Sequence, residues 1–330
     1  MSISSKRIFI TGIAGFIGFH LAKFLHEQGC FVLGCDNFNP YYDPALKKRR
    51  AAELLALGIQ VIDADISDSP LIESLLINHE ITHCVHLAAQ AGVRYSITFP
   101  EKYVHSNLHG FTQILEVLKR HPHIKFIFAS SSSVYGLNQK IPFSEEDKTI
   151  HPANFYAATK IAGEAIAHSY HHLYGISIIG LRYFTVYGPW GRPDMAYFLF
   201  TESIMQGKPI QVYHDGKMQR DFTYIDDIIQ GTAAALELDA SFEIFNLGNH
   251  QPVEILHLIK LIENKTGKKA VIEFKPMQPG EVLITYADIS KAKARLGYHP
   301  RIKIEEGIPL FAKWFRTTMG TGRALSALQP

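Results

Sequence analysis

The chain has 330 residues, more than one hydrophobic core usually organises, so two lobes are expected. Its residues are 47% hydrophobic and 19% charged, which excludes a disordered chain. A net charge of +2 gives no case for nucleic acid or a membrane surface as a partner. Cys30, Cys35 and Cys84 have neither zinc-ligand nor CxxC spacing and read as reduced thiols of a cytoplasmic protein. No apolar run reaches the roughly 18 residues of a membrane span, and the N-terminus enters a strand directly. Neither signal peptide nor anchor is expected.

In chain order, RIFITG (7–12) is a short strand, followed by a glycine-rich turn and an amphipathic stretch from Phe16 to Gln28. Strands at 31–37 and 60–66 flank a helix at 46–57, and a helix at 69–78 leads to the strand HCVHLAA (83–89). A long helix is predicted over 101–120, then the strand KFIFASSS (125–132), a helix over 155–175 and a strand over 177–184. Apolar strands alternating with helices predict an α/β chain with a doubly wound parallel Rossmann sheet. After Thr185 the pattern loosens around Pro189 and Pro193, with a short helix near 195–206. A helix over 222–238 and a strand over 242–248 read as returning to the first lobe. Further helices are predicted at 253–267, 289–297 and 305–316. The expected division is 1–184 with 222–252 as the dinucleotide lobe and 185–221 with 253–317 as a smaller mixed α/β substrate lobe. Residues 318–330 read as a mobile tail.

Gly12, Gly15 and Gly18 in TGIAGFIG open the first helix, where amide dipoles favour a pyrophosphate. Asp36 ends the second strand, placed to bind ribose hydroxyls; an acid there favours NAD over NADP. Asp65 and Ile66 end the third strand and could flank adenine, although Asp65 also suits a helix N-terminus.

Tyr156 and Lys160 lie one helical turn apart and share a face, with the serine cluster of FASSSSVYG arriving from the preceding strand. A free tyrosine ionises near a pKa of about 10. Lys160 and a positive nicotinamide ring are expected to lower it, and a nearby hydroxyl would share the proton. His168 and His172 have the spacing of a zinc pair, but residue 169 is Ser, no third ligand suggests itself, and no metal is expected. The run Lys47-Lys48-Arg49-Arg50 reads as a solvated helix face, and Met205 and Met218 as packing.

The succession TGxxGFIG, Asp36, Leu87-Ala88-Ala89, Asn107, SSSSVYG and Tyr156-x-x-x-Lys160 resembles the extended short-chain dehydrogenase/reductases that modify nucleotide sugars. The resemblance runs over about 315 residues, from Arg7 to the last helix. AAQAGVRYS (88–96) and FTVYGPWGRPDMA (184–196) are more specific, and resemble UDP-glucuronate 4-epimerases. By position, the resemblance makes Ser131 the catalytic hydroxyl, Tyr156 the proton-transferring residue and Lys160 its partner on the nicotinamide ribose. It places Phe16, Ile17, Asn37, Leu87, Ala88, Ala89 and Asn107 at the NAD. Thr185 and Arg192 would hold the sugar carboxylate and Arg220 the diphosphate. Gln90, Arg94, Ser132, Ser133 and Met195 would complete the substrate site.

Two departures matter. Neutral-sugar epimerases carry Arg-x-x-Asp for the nucleotide, whereas this chain has Gln278-x-x-Glu281. Dehydratases and glucuronate decarboxylases carry a carboxylate after the catalytic hydroxyl, where this chain has Ser132 and Ser133. The resemblance therefore implies NAD-dependent 4-epimerisation of UDP-glucuronate and UDP-galacturonate through a 4-keto sugar, by a homodimer built on helices near 101–120 and 155–174. The alternatives are a UDP-glucose/UDP-galactose epimerase, another nucleotide-sugar enzyme of this class, an alcohol dehydrogenase that releases NADH, and an NAD sensor. The sensor would not need both Tyr156 and Lys160.

Overall fold

A computed structural model describes residues 3–320. β1 (Arg7–Thr11), α1 (Phe16–Glu27), β2 (Phe31–Asp36), α2 (Pro44–Ala56), β3 (Gln60–Asp63), α3 (Ser69–Asn78) and β4 (His83–His86) alternate as expected. α4 (Val93–Thr98), α5 (Pro100–Tyr103), a π-helical stretch at Val104–Gly110 and α6 (Phe111–Arg120) then lead to β5 (Lys125–Ser131). α7 (Phe155–Tyr174) and β6 (Ile178–Tyr183) follow. The second half comprises β7 (Thr185–Tyr187), α8 (Ala196–Gln206), β8 (Pro209–Tyr213), β9 (Gln219–Tyr224), α9 (Ile225–Glu237) and β10 (Phe242–Leu247). It ends with β11 (Pro252–Glu254), α10 (Ile255–Thr266), β12 (Val271–Lys275), α11 (Ser290–Leu296) and α12 (Ile304–Met319).

Seven strands form one parallel sheet in the order β10-β6-β5-β4-β1-β2-β3. All six residues of β6 are buried, as expected of a strand covered on both faces. The order reverses between β1 and β4, and in such sheets the crevice beyond the strand carboxyl ends at that point receives the ligand. Outside this sheet, β7 and β11 flank β9, and β12 pairs with β8. β10 pairs with β6 from Phe242↔Ile178 to Leu247↔Tyr183, so the chain does return to the large sheet.

Local chemistry explains the helix that carries the tyrosine. Asn154 caps α7 by accepting a hydrogen bond from the Ala157 amide at 2.9 Å, and Gly175 ends it at φ +70°.

The structure differs from the sequence reading in several places, among them the short strands β7, β8, β11 and β12, for which no strand was predicted. Phe222–Tyr224 belong to β9, paired with Thr185–Tyr187, and the helix starts only at Ile225. α4 occupies a segment for which no element was predicted. α12 continues through Thr317 to Met319, so the tail begins later than expected; its residues from 321 on lie outside the described residues. Finally, Lys47 and Arg50 are buried, and only Lys48 and Arg49 lie on the exposed face of α2.

Candidate active site

A cavity of about 1100 Å³ runs along the carboxyl ends of the central strands and continues beneath the β8 and β9 region. Its wall includes every residue assigned to cofactor or substrate from the sequence except Asn107. Asn107 lies one layer behind. Its side chain accepts from the Gln90 amide at 2.8 Å and donates to the Gln90 carbonyl and to Thr159 Oγ1, both at 3.0 Å. It thus ties the loop after β4 to the helix that carries Tyr156 and Lys160.

At one end, Gly12 adopts φ +70°, and a β-carbon there would stand 2.8 Å from the Ala88 nitrogen. A β-carbon at Gly18 would stand 2.3 Å from the Gly12 carbonyl oxygen. Both glycines are required by the turn itself, which brings the start of α1 against the strand-end loop after β4. Asp36 closes β2, buried, with one carboxylate oxygen accepting from the Phe38 amide at 2.9 Å. Asn37 donates to Asp65 at 2.9 Å, and Asp65 also accepts from the Ser67 amide and hydroxyl. Burial raises the Asp65 carboxyl, but these hydrogen bonds outweigh it and hold it at about 2. Asp68, not Asp65, caps α3, and Asp65 lines the cavity wall.

Ser131, Tyr156 and Lys160 meet at the middle of the cavity. The Ser131 hydroxyl bears on the Tyr156 phenol, favouring its ionised form, and accepts from the Ser133 amide at 3.1 Å. Lys160 Nζ stands 5.9 Å from the Tyr156 ring centre and donates to the Ala129 carbonyl at 2.8 Å. Burial pushes Lys160 down to about 8 against the pull of Glu164. It also pushes the Tyr156 phenol up, with Ser131 and the charge of Arg192 acting the other way. The expected lowering of the tyrosine is therefore not reached by the protein's own groups, because desolvation of the phenolate outweighs them.

Beyond this trio, Thr185 opens β7, and Met195 precedes α8. Arg192 donates to both oxygens of Asp194, at 3.0 Å and 2.5 Å, and Tyr41 donates to the same carboxylate at 3.1 Å. Arg220 and Arg94 converge on Glu281, at 3.0 Å and 3.9 Å. The Glu281 carboxylate that replaces the expected aspartate thus holds two arginines at the cavity wall. Next to it, the buried Gln278 Oε1 has no hydrogen-bond partner among the described residues. An orphaned acceptor on a cavity wall fits a ligand that brings a donor.

Sequence reasoning missed Tyr41, Asp194, Arg50 and Glu164. Asp194 sat in the quoted string after Arg192, and its i, i+2 spacing to an arginine was the available signal. Glu164 is one turn beyond Lys160 on α7, and its burial against Arg182 was not visible without the fold.

Residues 9–310 match the family described as GDP-mannose 4,6 dehydratase. The chain belongs to this family. It is 48% identical over 326 residues to UDP-glucuronate 4-epimerase 4 of Arabidopsis thaliana, covering 93% of this chain and 75% of that one. UDP-glucuronic acid 4-epimerase of Bacillus cereus, solved in complex with UDP-glucuronic acid and NAD, matches with a TM-score of 0.88 and 39% identity. That match covers 94% of this chain and 99% of that one. UDP-glucose 4-epimerase of Thermotoga maritima, solved with UDP-glucose, matches with a TM-score of 0.87 and 31% identity, over 95% and 99% of the two chains. These findings bear out the resemblance and fold class read from the sequence. Although the dehydratase family takes its description from an eliminating enzyme, this member has Ser132 and Ser133, not a carboxylate, after Ser131.

Proposed function

We propose that this chain is a UDP-glucuronate 4-epimerase that holds NAD in the cavity and interconverts UDP-glucuronate and UDP-galacturonate. The observation that carries this reading is the shared cavity of the Ser131–Tyr156–Lys160 trio and the Arg192–Thr185 end. The Arg192 charge bears on the Tyr156 phenol, so a sugar carboxylate at the one and a C4 hydroxyl at the other suit a single hexuronate ring. The glycine turn, Asp36 and the wall at Asp65 fit the dinucleotide, whose part in the reaction is to accept the C4 hydride and return it.

The protein's residues handle the proton and the pose. Tyr156 takes the C4 hydroxyl proton and gives it back, with Ser131 sharing it. Lys160, fixed on the Ala129 carbonyl, supplies a charge that favours the phenolate. Arg220 and Arg94 offer forks for diphosphate oxygens, and Gln278 an acceptor for the nucleoside. A C4 ketone beside a C5 carboxylate is a β-keto acid, prone to lose carbon dioxide. Thr185 and Arg192 hold the carboxylate in an orientation that disfavours this loss. With no acid at positions 132 and 133, elimination lacks its proton donor.

The reading extends to a cytoplasmic homodimer formed through α5–α6 and α7. Its supports are the buried, unpaired cysteines and the exposed Val104 and Leu173 on those helices. Among the described residues no helix is long and apolar enough to cross a membrane. Incubating the purified protein with UDP-glucuronate and following the sugar by NMR tests the activity. Galacturonate supports it, whereas a pentose as main product, or no product beside active UDP-glucose turnover, overturns it.

A further inference from the structure

The segment that carries Arg192 is held from the opposite side of the molecule. Three consecutive carbonyls, of Pro189, Trp190 and Gly191, accept hydrogen bonds from helices of the dinucleotide half. His20 on α1 holds Pro189 at 2.9 Å. Arg50 on α2 holds Trp190 through Nε at 3.1 Å and Nη2 at 2.5 Å, and Gly191 through Nη2 at 3.1 Å. The same guanidinium reaches the Ala14 carbonyl, inside the glycine turn, at 3.0 Å, and Tyr42 Oη at 2.9 Å.

Those contacts occupy all five N–H donors of Arg50, whose side chain is wholly buried. Among the described residues no carboxylate lies within ion-pair distance of it, so its charge is offset by carbonyl and phenol dipoles alone. A buried cation without a counter-ion is costly unless something else requires it. Here the charge stands directly behind the turn where a dinucleotide diphosphate would sit. The held segment is itself an unusual conformation. Trp190 has φ +60°, which a bulky side chain adopts only under constraint. Its ring packs 5.2 Å from Phe19 and 5.5 Å from Trp314, with Arg49 over its face at 5.4 Å.

We propose that Arg50 is a positioning residue that joins the glycine turn to the 189–191 backbone and so sets where Arg192 grips the sugar carboxylate relative to the cofactor. His20 supports the same segment through Pro189. A lysine at position 50 would keep the charge but, as a three-donor point charge, could not span Ala14, Trp190 and Gly191 together. The inference rests on the uronate reading for the identity of the ligand, but not for the coupling itself.

The test uses Arg50→Lys, which spares the charge, beside the wild type, with two readouts that need no turnover. Trp190 and Trp314 are the chain's two tryptophans, so intrinsic emission reports on this segment directly. Calorimetry gives the affinities for UDP and for UDP-glucuronate. The expected result is a red-shifted emission together with a UDP-glucuronate affinity about tenfold weaker and a UDP affinity little changed. Unchanged emission, or equal losses for UDP and UDP-glucuronate, overturns the proposal and leaves Arg50 a packing strut. If the wild type itself binds UDP and UDP-glucuronate alike, the uronate reading fails. The coupling is then judged by whether NAD addition alters wild-type emission: a response that Arg50→Lys loses upholds it, and a response that survives, or none in the wild type, overturns it.

Discussion

Asp194 grips Arg192 at two points, Oδ1 to Nε at 3.0 Å and Oδ2 to Nη2 at 2.5 Å, and so fixes the plane of the guanidinium before any substrate arrives. Burial alone would lower Arg192 and raise Asp194. Their mutual charge reverses both, leaving the arginine above and the aspartate below their ordinary values. Orientation and charge are thereby separable. Arg192→Ala removes both, and the loss of a charge-assisted pair should raise the KM for UDP-glucuronate by about 10- to 100-fold. Asp194→Asn frees the charge but loosens the plane. It should leave KM near or below the wild-type value while the decarboxylated pentose share of product rises. NMR of the product mixture checks both, and an equal KM penalty in the two variants would remove the orienting role of Asp194.

Tyr156 sits where burial raises its phenol and Ser131 and Arg192 act against that rise. In the proposed reaction the phenol exchanges the C4 proton. Tyr156→Phe should lower kcat by about 10²–10⁴ with KM little changed. Lys160 adds a pH signature. Burial brings it down to about 8, so its charge, which favours the phenolate, fades above that pH. The rate should fall on the alkaline side of about 8, and a plateau through pH 9.5 in a kcat profile would show that the Lys160 charge is not required.

The parts of this site that were legible in the sequence are those where one residue type is demanded by backbone or chemistry. Gly12 and Gly18 leave no room for a β-carbon, and Tyr156 and Lys160 share a face by helical spacing alone. The seven-stranded sheet was legible for the same reason, since period and length decide buried strands. Partner choice across distant segments was not. Arg50 read as a solvated charge because three other charges adjoin it, and only tertiary packing places it under Trp190. Asn107 was assigned to the cofactor from its position in a motif, whereas its hydrogen bonds commit it to Gln90 and Thr159. Phe222–Tyr224 preceded a strong helical pattern, and pairing with Thr185–Tyr187 overrode it.

Glu164, on α7, offers a stability test. Its carboxylate accepts from Arg182 Nε at 2.9 Å and Nη2 at 2.8 Å and from Ser130 Oγ at 2.5 Å. Arg182 in turn donates to Tyr135 Oη, which donates to Asn246. The pair is nearly buried, at 6% and 11% side-chain exposure, so removing the acid strands a cation. Glu164→Gln should cost about 3–5 kcal/mol in urea unfolding. A loss within experimental error would mean that water or Tyr135 takes over the guanidinium.

Acid stability follows from three histidines that the fold keeps neutral. Burial lowers His20 and His83 to about 4 and His86 to about 3, with nearby positive charges such as Arg50, Lys6 and Lys160 adding to the effect. Between those values and the unfolded 6.5, the unfolded chain binds more protons than the folded one. Stability therefore rises with pH across this window, is fully present above about 6.5, and is lost as pH falls towards 4 and below. Each group accounts for at most on the order of 3–5 kcal/mol, against about 5–15 kcal/mol for a typical fold. Carboxyls raised by burial oppose them, among them Glu145, Glu202, Asp226, Asp227 and above all Asp221. Burial raises Asp221 to about 6 despite three backbone amides on its carboxylate, so its contribution weakens as pH rises from about 4 to 6. Asp65 and Glu73, held at about 2, add their losses only below pH 4. Urea midpoints should therefore drop between pH 6.5 and 4.5, before the lowered carboxylates Asp65 and Glu73 titrate. His20→Gln, which keeps a donor for the Pro189 carbonyl but cannot ionise, should flatten that drop. A midpoint constant over this range in the wild type, or an unaltered slope in the variant, would show that these rings are protonated in the folded chain.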